Sequence, residues 1–152
     1  MAIVQAIMKL FIRLLLKLPG GWLVKMSGGT PTVIRGRTLD PRIQFVAAQA
    51  AKGPPMTGTP SEVREGANMA LGLLEAKIRP MKQIEHRSIP GPELDIPIRI
   101  YRPHNLKAEG NPAIVYYHQG GCVIGTMDWC ETFCTILAER CNAGVINVDY
   151  RL

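Results

Sequence analysis

Across the first eighteen residues, Ile3, Ile7, Leu10, Phe11, Leu14 and Leu18 recur at helical spacing, while Lys9, Arg13 and Lys17 stand four apart on the opposite side. This pattern predicts an amphipathic helix with a basic stripe. The three charges interrupt every apolar run well short of the ~20 residues that a membrane span requires, and the segment does not read as an export signal. Pro19-Gly20-Gly21 ends the helix, because proline disfavours a helical residue before it and glycine has little helix propensity. Two placements fit such a helix: flat on an anionic membrane, or apolar side down over the protein's own binding cleft. Packing within the molecule is the expectation, and membrane contact is the less favoured placement.

After a break at Gly28-Gly29-Thr30-Pro31, the stretch Leu39–Lys52 predicts a helix with Asp40 as N-cap, Pro41 in the first turn and Ile43, Val46, Ala47 and Ala50 at helical spacing. Gly53-Pro54-Pro55 stops it. Ser61-Glu62-Val63-Arg64 precedes a further helical pattern through Ala67, Ala70, Leu71 and Leu74, weakened by Gly66 and Gly72. Residues 1–78 therefore read as helices and loops. Beyond Arg79-Pro80 the texture changes. Pro90-Gly91-Pro92 makes a turn before the strand pattern Ile96–Tyr101, and Ala113–Tyr117 and Gly144–Val148 are short apolar runs typical of interior strands. A helix at Met127–Cys141 lies between the last two, giving a βαβ unit with parallel strands. The fold class is α/β, with residues 1–78 as one region and 79–152 as the first strands of a sheet. The edge at residues 145–149 is expected to be unpaired on one side.

Composition adds limits. A chain of 152 residues, 47% hydrophobic and 20% charged, is globular, and at this length buries roughly 68–70% of its unfolded surface. The formal charge of +6 comes with cations spread through Lys9, Arg13, Lys17, Lys25, Arg35, Arg37 and Arg42. With no reader motif and no aromatic-interleaved patch, it implies a generally basic surface and no nucleic-acid partner. Cys122, Cys130, Cys134 and Cys141 form no C-x-x-C pair, so no metal site is read. Cys130, Cys134, Leu137 and Cys141 share one helix face, as buried free thiols in a reducing, cytoplasmic compartment would.

The informative stretch is His118-Gln119-Gly120-Gly121-Cys122-Val123-Ile124-Gly125, which follows a strand where ligands of α/β sheets bind. Backbone N–H groups of such glycines cradle a phosphate or donate to the oxyanion of acyl transfer. The dinucleotide spacing and the P-loop lysine are both missing, which favours the oxyanion. Val115–Gly125 resembles the oxyanion-hole segment of the hormone-sensitive lipase family of bacterial carboxylesterases, whose usual motif is H-G-G-G. The resemblance extends to Ile98–Pro103 and to Asp149-Tyr150-Arg151-Leu152, and covers residues 88–152, with Gln119 departing from the usual glycine.

The resemblance implies an α/β-hydrolase fold, here the amino-terminal part of its sheet preceded by a mostly helical cap region. It implies hydrolysis of a small ester by a serine, histidine and acid, with no cofactor. Gly120 and Gly121 would form the oxyanion hole, with His118 and Gln119 supporting it. His86 and His104 read as surface histidines, and Asp149 as structural. None of Ser27, Ser61 and Ser88 lies in G-x-S-x-G, so nucleophile, acid and base are expected beyond Leu152. This chain alone is then expected to be inactive, with the carboxyl-terminal half of the same enzyme as its partner. The alternative is a non-catalytic fragment that binds a membrane or protein partner through its basic amphipathic helix.

Overall fold

A computed structural model describes residues 2–53, 57–74, 76–107 and 109–152. The chain forms two compact units, one ending at Thr57 and the other beginning at Gly58.

In the first unit, α1 (Ala2–Leu15) is the amphipathic helix that the sequence predicts. Among its described side chains, however, Lys9, Ile12 and Leu15 are half-buried, while Ile3, Ile7, Leu10, Phe11 and Leu14 are exposed. Within the first unit, that apolar face is left uncovered. Pro19-Gly20-Gly21 is the predicted break, but a second helix, α2 (Gly20–Met26), starts directly from it. Pro19 presets the entry angle, and the poor propensity of two glycines is offset by Leu23, which is fully buried. A two-residue hairpin follows, β1 (Val33–Ile34) with β2 (Arg37–Thr38). Arg35 and Gly36 at its tip both have positive φ, as the turn type that matches strand twist demands. Helix α3 (Pro41–Ala50) packs on α2 and is capped by Asp40, whose carboxylate accepts from Arg42 N at 2.8 Å. Buried Gln44 ties α3 to the preceding loop, donating to Thr30 O at 2.8 Å and accepting from Thr32 N at 2.9 Å.

The second unit opens with α4 (Pro60–Gly72), held at its start by a reciprocal capping box between Thr59 and Glu62. The Thr59 backbone N–H, bonded to the Glu62 carboxylate, also lowers that group's pKa. Four strands follow: β3 (Gln83–Ile89), β4 (Ile96–Arg102), β5 (Ala113–Tyr117) and β6 (Gly144–Val148). Between β5 and β6, Met127–Cys130 is a 3₁₀ turn leading into α5 (Glu131–Cys141). The strand order is β3-β4-β6-β5, with β5 and β6 parallel and the other pairs antiparallel.

This order corrects the expected free edge. β6 pairs with β4 on one side and β5 on the other, so it is interior, and the edges of the sheet are β3 and β5. The sequence pattern marks which strands are covered but not which neighbour lies beside each. On one sheet face, Tyr101, Val145, Ile114 and Tyr116 meet Cys130 of the 3₁₀ turn and Cys134, Leu137 and Ala138 of α5. Of the four thiols, Cys130 and Cys134 are buried as expected, whereas Cys122 and Cys141 are exposed, and all are free. Cys141 is exposed because it ends α5, where Asn142 turns the chain into the left-handed region and away from the sheet.

Candidate functional site

The parallel register sets Tyr117 beside Val148, so the segments leaving the carboxyl ends of β5 and β6 emerge side by side. These segments are His118–Gly125 and Asp149–Leu152. His118 is buried, with 3% exposure. Its Nδ1 lies 3.1 Å from the carbonyl of Gln119, to which it donates. Its ring stacks on Tyr150 with centroids 4.2 Å apart, and the Tyr150 hydroxyl donates to the His118 carbonyl at 2.6 Å. Nε2 is buried with no hydrogen-bond partner among the described residues, 3.9 Å from Asp149 Oδ1. His118 is therefore clamped from three directions. His86 and His104 are exposed.

Two glycines are required by this geometry. Gly120 has φ +144°, and a Cβ there would sit 1.7 Å from the carbonyl oxygen of Ile124. The Gly120 carbonyl accepts from Val123 N and Ile124 N, both at 3.1 Å, which closes the loop into a tight turn. Gly125 has φ +120°, and a Cβ there would lie 2.3 Å from His118 Nδ1. Gly121 and Cys122 are both left-handed, at +61° and +59°. Among the described residues, the N–H groups of Gly120, Gly121 and Cys122 donate to no main-chain carbonyl. Consecutive uncommitted N–H groups on a fixed turn can receive an anion or a developing oxyanion.

Gln119 is fastened by its side chain. Oε1 accepts from the Tyr116 hydroxyl at 3.0 Å and from the Cys130 thiol at 3.4 Å. Burial, together with the neighbouring Cys130, pushes the Tyr116 hydroxyl pKa up, keeping it a donor. Gln119 also borders an open groove of about 310 Å³ with Leu71, Leu74, Trp129, Phe133 and Ile136. Two outer ties complete the frame. Arg64 of α4 donates to the Val123 carbonyl at 2.7 Å. Met127 is gripped at both ends of its backbone, with Asn147 Nδ2 donating to its carbonyl at 3.0 Å and its N–H donating to Asp149 Oδ1 at 3.3 Å. Asp149 thus has a bracing contact, in line with a structural reading.

The four predicted residues are consecutive and lie in one loop. Tyr150, Gly125, Arg64 and Asn147 were missed as parts of the site. Parallel pairing of the two apolar runs would have indicated Tyr150, since it puts Tyr150 level with Gln119. Nothing local to Arg64 indicates its contact, 59 positions away. Among the described residues no cluster of three or more His, Cys, Asp or Glu side chains could hold a metal ion, and no helix is long and apolar enough to cross a membrane.

The sequence profile of a family described as alpha/beta hydrolase fold matches residues 114–152. The carboxylic ester hydrolase LipN of Mycobacterium tuberculosis is 30% identical over 130 residues, covering 84% of this chain and 34% of that protein. The chain belongs to the hormone-sensitive-lipase-like family of α/β hydrolases. Another relative, the carboxylesterase NlhH of the same species, is 34% identical over 125 residues, covering 80% of this chain and 37% of NlhH. Among solved structures, an ester-hydrolase from the metagenome of Lake Arreo aligns with a TM-score of 0.63 at 31% identity, over 70% of this chain and 34% of that one. A Pyrobaculum calidifontis esterase aligns with a TM-score of 0.58 at 34% identity, over 68% and 34%. This α/β-hydrolase chain spans about a third of the length of the curated relatives it matches.

Proposed function

We propose that the complete protein hydrolyses small carboxylic esters through a serine nucleophile, and that this chain supplies its oxyanion hole at Gly120 and Gly121. The observation that carries the reading is the rigid turn after β5, whose uncommitted N–H groups stand where α/β sheets bind ligands. His118 and Gln119 support it by locking the turn to Tyr150, Tyr116 and Cys130. Residues 1–78 form the cap region, and residues 79–152 the first strands of the catalytic domain. Serine, acid and histidine come from outside these 152 residues, on the carboxyl-terminal half that pairs along the open β5 edge. Acyl transfer by such a triad needs no cofactor. The free thiols suit a reducing, cytoplasmic compartment.

The test is to treat the complete protein with p-nitrophenyl butyrate and with a fluorophosphonate, and to read turnover and the mass added to one serine. Turnover together with single-serine labelling is expected, and this 152-residue chain alone should show neither. A complete protein that neither turns over esters nor takes the label would overturn the reading.

A further inference from the structure

The net charge is not spread over the molecule. Residues 1–39 contain six basic side chains and no acidic one, whereas residues 40–152 contain twelve of each sign. The whole formal excess of +6 therefore belongs to the segment formed by α1, α2 and the β1–β2 hairpin, and the rest of the chain is neutral.

The same segment carries the most exposed apolar surface in the first unit. On α1, Ile3, Ile7, Leu10, Phe11 and Leu14 point outward along one face, with Phe11 61% exposed. On α2, Trp22 is 67% exposed, and Val33 and Ile34 are bare beside Arg35 and Arg37. Water alone does not favour this arrangement, since at ~25 cal/mol per Å² each such side chain gains by being covered. The 14 residues of α1 span about 21 Å, too short to cross a bilayer of ~30 Å, so a lipid-bound α1 would lie in the surface plane. Apolar side chains at acyl depth, a tryptophan at headgroup level and cations on the flanks are what an anionic interface accepts.

We propose that residues 1–39 form an interfacial docking surface for anionic lipid, with the apolar face of α1 and Trp22 inserted and Lys17, Lys25, Arg35 and Arg37 set against the headgroups. This reading does not depend on ester hydrolysis. Charge complementarity decides the occupant: a neutral apolar partner would cover the face but leave the exposed cations Lys17, Lys25, Arg35 and Arg37 unmatched.

The complete protein is mixed with vesicles of phosphatidylcholine containing 30% phosphatidylglycerol, and separately with pure phosphatidylcholine. Co-sedimentation is expected to be at least tenfold stronger on the anionic vesicles and to fall as salt is raised. Brominated acyl chains should quench the fluorescence, and Trp22→Phe should remove that quenching. Lys17→Glu with Lys25→Glu should weaken binding at least tenfold with the circular dichroism spectrum unchanged. Equal binding to the two vesicles, or a Trp22 that bromine does not reach, overturns the proposal. The latter outcome follows if a protein partner, or another part of the complete protein, covers the face. Because binding is read by sedimentation and quenching, failure here leaves the hydrolase reading standing, and the converse holds as well.

Discussion

Gly120 and Gly121 are adjacent, yet a methyl group is tolerated at only one of them. In the complete protein, Gly120→Ala is expected to lower kcat/KM for p-nitrophenyl esters by about 10²-fold or more, because its Cβ overlaps the Ile124 carbonyl and the turn must open. At Gly121 a Cβ meets nothing within 4 Å, so Gly121→Ala carries only the roughly 1–2 kcal/mol of a left-handed alanine and should retain most turnover. Equal losses would place the effect in folding and not in the hole, and melting curves of both variants supply that control. The thiols divide in the same local way. Cys122 and Cys141 should react with a disulfide reagent in the native state, and Cys130 and Cys134 only after unfolding. Burial pushes the Cys134 thiol up to about 12, and the Tyr101 hydroxyl likewise up to about 12. The folded state therefore holds protons that the unfolded chain releases, from its thiol near pH 9 and its phenol near pH 10. Stability should fall with rising pH across that window to about 12, by up to about 1.4 kcal/mol per unit for each group. Urea titrations at pH 8, 10 and 11 measure it, and a flat profile would contradict the burial. At this scale much was legible: the order His118-Gln119-Gly120-Gly121 after an apolar run marks the turn. The ring of Tyr150 stacked on His118 was not, because that contact exists only once two strands are paired.

At the scale of elements, sequence pattern served where one residue decides a terminus. Asp40 before Pro41 marks the start of α3, and Pro60 with the Thr59–Glu62 pair marks that of α4, although the reading set Ser61–Arg64 ahead of the helical pattern, about one turn late. Thr59→Ala should cost about 1 kcal/mol, measured by thermal melting, while Ser61→Ala costs little. β3 escaped notice because Gln83, Glu85, His86, Arg87 and Ser88 give it almost no apolar signal. It is an edge strand held by its pairing with β4 and by Glu85, whose carboxylate bonds Arg102 at 2.8 Å and also Arg87. Those hydrogen bonds, that from Arg102 first, hold the Glu85 pKa below its ordinary value. Its contribution is complete at neutral pH and is lost on acidification. Arg99 joins β4 to the helix above it, 2.9 Å from Asp128 and 3.4 Å from Glu131. Its side chain is nearly buried, so Arg99→Leu should destabilise by about 1–2 kcal/mol while leaving two acids unpaired at the start of α5.

Over the whole chain, strand order was the part that composition and periodicity could not supply, since every interior strand reads alike. Its outcome is that β5 presents an open edge with Val115 and Tyr117 exposed on the uncovered sheet face. Hydrogen exchange should report this asymmetry: β6 amides, paired on both sides, protected most, and the outward amides of β5 exchanging early. The charge asymmetry was present in the sequence from the start, but counting cations without asking where the carboxylates begin concealed it. The fastenings of the glycine turn carry one further consequence. Apart from Arg64, each lies between Tyr116 and Tyr150, within a single strand-helix-strand passage. Contacts so close along the chain close quickly and cheaply in entropy. The turn can therefore take its final shape from this passage alone, so that an incoming ligand meets a receptor already set.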